Sequence, residues 1–327
     1  MEKCVFSIHL QINLLHPSPF LDIYISITVL IPQIYMLEIL IPAFVLIIWT
    51  ASNTLIKSLT GKMESDNIAL IVIGAGIVPM TLSIFMTPHL NIAETTLFLG
   101  VTSGIFLSLG YILFYKSLKG ENLGSAGVTI NMQQIIVISF SLLVLKETVS
   151  SLILPAVILI LIGSMMVTIK NGFKINRYLM LAALANIIWG IYYMPLSFAI
   201  LSLHSSVMPL LIARTSGFIM TFIAFETLFM YRRMKQRHMA SVTTPNYKAK
   251  LSFTLMLAVV AGILDGSGNV FYALSISQGA LVLAGALVAM LPATLALSGK
   301  FLFREKLSSK QYIGVLLSVA GALLIAL

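Results

Sequence analysis

The chain has 327 residues, 59% of them hydrophobic and 9% charged, with a formal net charge of +9. Soluble domains average about a quarter charged residues, so this chain cannot build a water-facing surface, and lipid is the solvent its composition fits. The basic residues lie in short stretches between apolar runs, which excludes a nucleic-acid-binding face, and a single cysteine, Cys4, excludes a disulfide framework or a Cys-pair zinc site.

Residues 1–37 come first in chain order. His16, Pro17 and Pro19 break any early helix, and 20–37 is apolar but carries Asp22 and Pro32. No basic n-region with a small-residue cleavage site precedes it, so it does not read as a secretory signal. A tail, a marginal extra span, or an extension upstream of a natural start at Met36 all fit. Ten apolar runs then have the length a helix needs to cross about 30 Å of hydrocarbon: 38–58, 68–87, 96–115, 122–145, 150–169, 178–200, 206–230, 251–275, 279–301 and 310–327. Pro42, Pro79, Pro155, Pro195 and Pro292 fall inside spans, where kinks are expected. The linkers are short except the basic loop 231–250.

The chain repeats. A shift of 158 residues aligns 97–169 with 255–327 without a gap, matching Gly104 with Gly262, Gly110 with Gly268, Gly127 with Gly285, Glu147 with Glu305 and Gly163 with Gly321. A shift of 140 aligns the only tryptophans, Trp49 and Trp189, and the difference of 18 is absorbed by the long loop between the two blocks. Each half therefore holds five spans, 38–175 and 176–327. Five is odd, so the halves are inserted with opposite orientation. The expected fold is all-α and integral to the membrane, with two inverted five-helix repeats and a substrate site at the midplane between them.

Several polar residues sit where lipid would penalise them. Asp265 is near the middle of the eighth span, and a carboxylate there needs a cavity, a partner or a proton; proton coupling is one role open to it. Asn269 and Tyr272 share its helix face. Arg214, in the seventh span, either binds a substrate carboxylate, pairs with Asp265 or snorkels to an interface. Asn131 and Gln134, at i and i+3 on the fourth span, face the bundle and bind either substrate or a neighbouring helix. Trp49 with Asn53, and Trp189 with Tyr193, put rings and polar groups on the first span of each half, for substrate stacking or for packing. Glu147 and Glu305 read as helix-end groups, and Glu226, close to Arg232 and Arg233, as an interfacial salt-bridge partner. Gly74-Ala75-Gly76 lacks the context of a dinucleotide fingerprint. There is no HExxH, no GxSxG and no ATP-binding motif, and one deeply placed carboxylate does not make an aspartyl dyad. No catalytic set, metal site or cofactor is expected; the partners are a small-molecule substrate and the bilayer.

Trp49-Thr50-Ala51-Ser52-Asn53 with Lys57, Trp189-Gly190, and the junctions Leu145-Lys146-Glu147-Thr148-Val149-Ser150 and Arg304-Glu305-Lys306-Leu307-Ser308 carry a family likeness. The chain resembles the drug/metabolite transporter superfamily, specifically its EamA-type ten-helix members, over 38–327. It departs from that pattern at Gln134, where the aligned residue of the second half is the more usual Pro292. The resemblance implies a secondary transporter in the plasma membrane that exports or exchanges amino acids, other metabolites or amphipathic compounds, by proton coupling or facilitated passage. A membrane-embedded enzyme and a non-transporting scaffold or receptor remain as alternatives. Seventeen of the 20 Lys and Arg residues lie in or beside odd-numbered loops and only Lys146 in an even one, so the odd loops are expected to be cytoplasmic.

Overall fold

The computed structural model describes residues 19–85, 93–117, 123–168, 177–203, 205–236 and 248–326. The chain forms two compact units, Met1–Leu37 and Glu38–Leu327. Helix α1 (Pro19–Leu59) opens on Pro19, because proline suits a first helical turn whose N–H has no partner anyway. Residues 1–18, including His16 and Pro17, lie outside the described residues. Everything below concerns the second unit.

The remaining helices are α2 (Ser65–Ala75), α3 (Ile77–Ile84), α4 (Glu94–Ser117), α5 (Leu123–Phe140), α6 (Ile153–Thr168), α7 (Arg177–Leu203), α8 (Val207–Gln236), α9 (Lys248–Ser277), α10 (Leu281–Val288), α11 (Leu291–Phe303) and α12 (Ser309–Ala326). Among the described residues, seven stretches are long and apolar enough to span a bilayer, and three shorter apolar helices accompany them. They fall on the ten expected spans, with α2 and α3 forming span 2 and α10 and α11 forming span 9.

Spans 2 and 9 are interrupted for a covalent reason. Pro79 and Pro292 lack the N–H that would bond to the carbonyl four residues back, and the helix breaks just upstream, at Gly76 and at Ala289-Met290. Span 4 has Gln134 in place of proline; it runs through and ends in a π-helical turn, Ser141–Leu145.

The two halves interdigitate. α4 packs on α7 and α8, α5 on α7, α2 on α9, and α6 on α12. Glycines set the closest approach: a Cβ on Gly163 would lie 2.6 Å from the Gly314 carbonyl, and one on Gly314 would lie 2.4 Å from the Gly163 carbonyl. Small residues let backbones meet where lipid supplies no hydrophobic drive for association. Span 9 is the inner element, with 83% of its most apolar window buried, against 33–44% for the other long spans. Large apolar side chains such as Ile47, Phe98, Leu82 and Leu316 are exposed on the outside, as a lipid-facing surface requires.

The repeat is also visible in backbone geometry. Lys146 and Arg304, 158 positions apart, both take a left-handed conformation, with φ of 57° and 56°. That conformation costs a non-glycine residue about 1–2 kcal/mol. In each case the next residue's N–H bonds six residues back, Glu147 to the Ser141 carbonyl and Glu305 to the Gly299 carbonyl, which closes the helix end and holds the turn.

Candidate functional site

A cavity lies between the halves, walled by spans 1, 3, 4, 6, 8 and 9. Its volume is about 70 Å³. Its wall obeys the repeat. Trp49 and Trp189 line it, as do Asn53 and Tyr193, Leu107 and Asp265, Tyr111 and Asn269, and Gln133 and Leu291; each pair is related by the shift of 140 or 158. The cavity therefore sits where the two halves face each other about their internal axis.

The tryptophans cross between halves. A Cβ on Gly268 would lie 2.4 Å from Trp49 Nε1, and one on Gly110 would lie 2.2 Å from Trp189 Nε1. Each indole of one half thus fills the space left by the matched glycine of the other. Trp49 stacks on Tyr272 at 5.5 Å between ring centroids, Tyr272 meets Tyr193 at 4.7 Å, and Trp189 meets Tyr111 at 5.1 Å and Phe114 at 5.0 Å. Trp49 Nε1 donates to the Asp265 carbonyl at 3.3 Å. Trp189 Nε1 is buried with no partner among the described residues, and so are both polar atoms of the Gln134 amide and the Tyr192 hydroxyl.

Behind this wall lies an ion pair. Arg214 Nη2 donates to Asp265 Oδ2 at 2.8 Å and to the Val72 carbonyl at 2.9 Å. Its Nε donates to the Ile73 carbonyl, and its Nη1 to the Tyr111 hydroxyl, each at 2.9 Å. The Tyr111 hydroxyl in turn donates to Asp265 Oδ2 at 2.5 Å. The guanidinium enters the break in span 2. It adds donors to the last carbonyls of α2, of which Val72 also accepts the Gly76 N–H, and Gly76 leaves the room, since a Cβ there would meet Arg214 Nη2 at 2.1 Å. Arg214 is 1% exposed and the Asp265 side chain 14%. Only the carboxylate reaches the cavity wall.

A model of the EamA-like transporter family matches the sequence twice, over residues 36–169 and 176–327. The chain belongs to the EamA-like transporter family. No curated protein matches it. A solved structure described only as "Crystal structure of protein" is similar over 88% of this chain and 95% of its own, with a TM-score of 0.62 at 17% identity; that likeness shows the fold. The chain is a multi-pass membrane protein of a transporter family, and the two matched segments coincide with the two repeats.

In this EamA-like transporter seven of the ten sequence-predicted site residues line the cavity: Trp49, Asn53, Gln134, Trp189, Tyr193, Asp265 and Asn269. The other three stand outside it. Tyr272 lies behind Trp49, fully buried, and supports its ring. Arg214 lies behind Asp265 with four N–H groups already committed, so of the roles open to it the pairing is the one realised. Asn131 turns away and donates to Ser164 of α6 at 2.9 Å. Sequence reasoning missed Tyr111, Phe114, Tyr115 and Asn186, which also line the cavity, as does Gln133, the amide beside Gln134. Tyr111 carried a usable signal, because the shift of 158 maps it onto Asn269.

Two ties flank the cavity. At loop 1, Lys57 is ion-paired with Glu305 and lies over the Phe303 ring at 4.6 Å, joining spans 1 and 9. At loop 4, the repeat-equivalent Glu147 accepts from the Ser141 hydroxyl and from the Val282 N–H at 3.1 Å, joining spans 4 and 9. Burial pushes the Glu147 carboxyl above its ordinary value, while its hydrogen bonds to Ser141, Val282 and Leu281 pull the other way. A hollow beside loop 1, lined by Lys62, Glu64 and Ile68, shares Tyr115 with the central cavity.

Proposed function

We propose that this chain is a secondary carrier that exports or exchanges a small metabolite, such as an amino acid or an amphipathic compound, by alternating access. The observation that carries the reading is the cavity wall built from repeat-equivalent residues of both halves. Inverted repeats interconvert by swapping conformations about a fixed midplane site, so a site on the internal axis is the one place both halves can expose in turn. The halves 38–175 and 176–327 are the moving bodies. The Lys57–Glu305 and Glu147–Val282 contacts are the alternating closures, one near odd-numbered loops and one near even ones. Asp265 is the group assigned to coupling, because of the pair with Arg214 it alone reaches the cavity wall.

The charge distribution supports odd loops in the cytoplasm of a plasma-membrane protein. The absence of a catalytic motif in the sequence, and a cavity wall on which Asp265 is the one carboxylate among the described residues, support carriage over chemistry.

A cysteine test addresses alternating access. In a Cys4→Ser background, Asn53→Cys places the only thiol on the wall. The expected result is labelling by an impermeant thiol reagent from either face of sealed vesicles, with each face favoured by opposite gradients. Reaction from one face only, whatever the gradient, would overturn the reading.

A further inference from the structure

The cavity has one charge sign. Its wall holds Asp265 and, among the described residues that line it, no lysine, arginine or histidine. Arg214 is near, but its donors go to two backbone carbonyls, the Tyr111 hydroxyl and Asp265 Oδ2. A solute anion in the cavity would find no cation to replace its water, and it would face a carboxylate.

The amides add to this. Asn53 Nδ2 donates to the Trp49 carbonyl and Asn269 Nδ2 to the Asp265 carbonyl, each at 2.8 Å. These bonds set the amide orientation and leave each Oδ1 as an acceptor, beside the second N–H of each Nδ2. Among the described residues, both contacts of the Asp265 carboxylate are made by Oδ2, which leaves Oδ1 to a solute. Gln134 Oε1 is buried without a donor. The rings of Trp49, Trp189, Tyr111 and Tyr193 line the same cavity, and aromatic π-electrons attract cations within about 6 Å of a ring centre.

We propose that the transported solute carries an ammonium group, held by Asp265 Oδ1 and the neighbouring amide oxygens inside this aromatic cage, and that net anions are rejected. The inference rests on the carrier reading and names its substrate class. An ammonium is donor-only, which matches the acceptors Asp265 Oδ1, Asn53 Oδ1 and Asn269 Oδ1. The free N–H groups of Trp189 and Gln134 can take one further acceptor, so an amino acid zwitterion is admitted alongside a simple amine.

The protein supplies its own probe, because its only two tryptophans both line the cavity. The full chain in detergent is titrated with isopentylammonium, leucine and isocaproate, which share an isobutyl body and differ in head-group charge, and tryptophan emission is followed. The expected result is saturable binding of the amine and of leucine, with isocaproate at least about tenfold weaker, a difference of about 1.4 kcal/mol. Isocaproate binding as tightly as the amine would overturn the proposal, and so would a flat response to all three. In a second measurement, Asp265→Asn combined with Arg214→Gln removes both charges of the pair together. Isopentylammonium affinity should fall about tenfold in that variant; unchanged affinity would overturn the role of Asp265. Because binding is read without transport, loss of flux with binding intact would sink the carrier reading alone.

Discussion

Removing Arg214 tests the ion pair at the back of the cavity. In Arg214→Met, Asp265 keeps only the Tyr111 hydroxyl, and the Ile73 carbonyl loses the Nε–H that reached it. Breaking a buried pair from one side costs about 3–5 kcal/mol, because a charge is left without compensation. Both partners are desolvated here, at 1% and 14% side-chain exposure, so the upper part of that range applies. Asp265→Asn leaves the Arg214 guanidinium, at 1% exposure, without its counter-charge, so it falls in the same range, towards the lower end because an amide oxygen can still accept from Nη2. The double variant should be more stable than the sum of the singles predicts, by a coupling energy of about 1–3 kcal/mol. Reversible unfolding in mixed detergent micelles, followed by tryptophan emission, measures all three. Additivity within about 0.5 kcal/mol would refute the claim that Arg214 and Asp265 stabilise one another.

Gly268→Ala should push Trp49 from its slot, costing about 1–3 kcal/mol; in a Trp189→Phe background its emission maximum should shift. Lys57→Met should change stability by under about 1 kcal/mol, because both partners are partly exposed and solvent-screened, yet thiol labelling of Asn53→Cys from the loop 1 side should speed up. For Glu147 the folded-state value lies above the ordinary 4.5, so the fold favours the protonated form. That stability is present below the ordinary value and is lost as pH rises through the raised one. The unfolding midpoint should therefore fall with rising pH across that window in the wild type, and should fall less in Glu147→Gln.

The ten spans were legible because membrane helices are specified by length and apolarity alone. The repeat was legible in its glycines and paired glutamates, which fix close approach and helix ends. Side-chain direction was less so. Asn131 and Gln134 share a helix face by spacing, yet Gln134 lines the cavity with Gln133 while Asn131 bonds to Ser164 of α6; the choice depends on where α6 packs. The Arg214–Asp265 pairing was readable as one option. Its other acceptors were not, because the Val72 and Ile73 carbonyls come within reach only where span 2 breaks at Gly76. Tyr111 was missed because the tyrosine and Asn269 look unrelated until the repeat is applied position by position.

Transport itself decides the account. Liposomes carrying the wild-type protein and a mixed pool of amino acids and other metabolites are placed under a proton gradient, and solute loss is compared with that from vesicles carrying Asp265→Asn and from empty ones. The account predicts loss of one solute class, bearing an ammonium group, from wild-type vesicles alone. Equal retention in all three populations would contradict it.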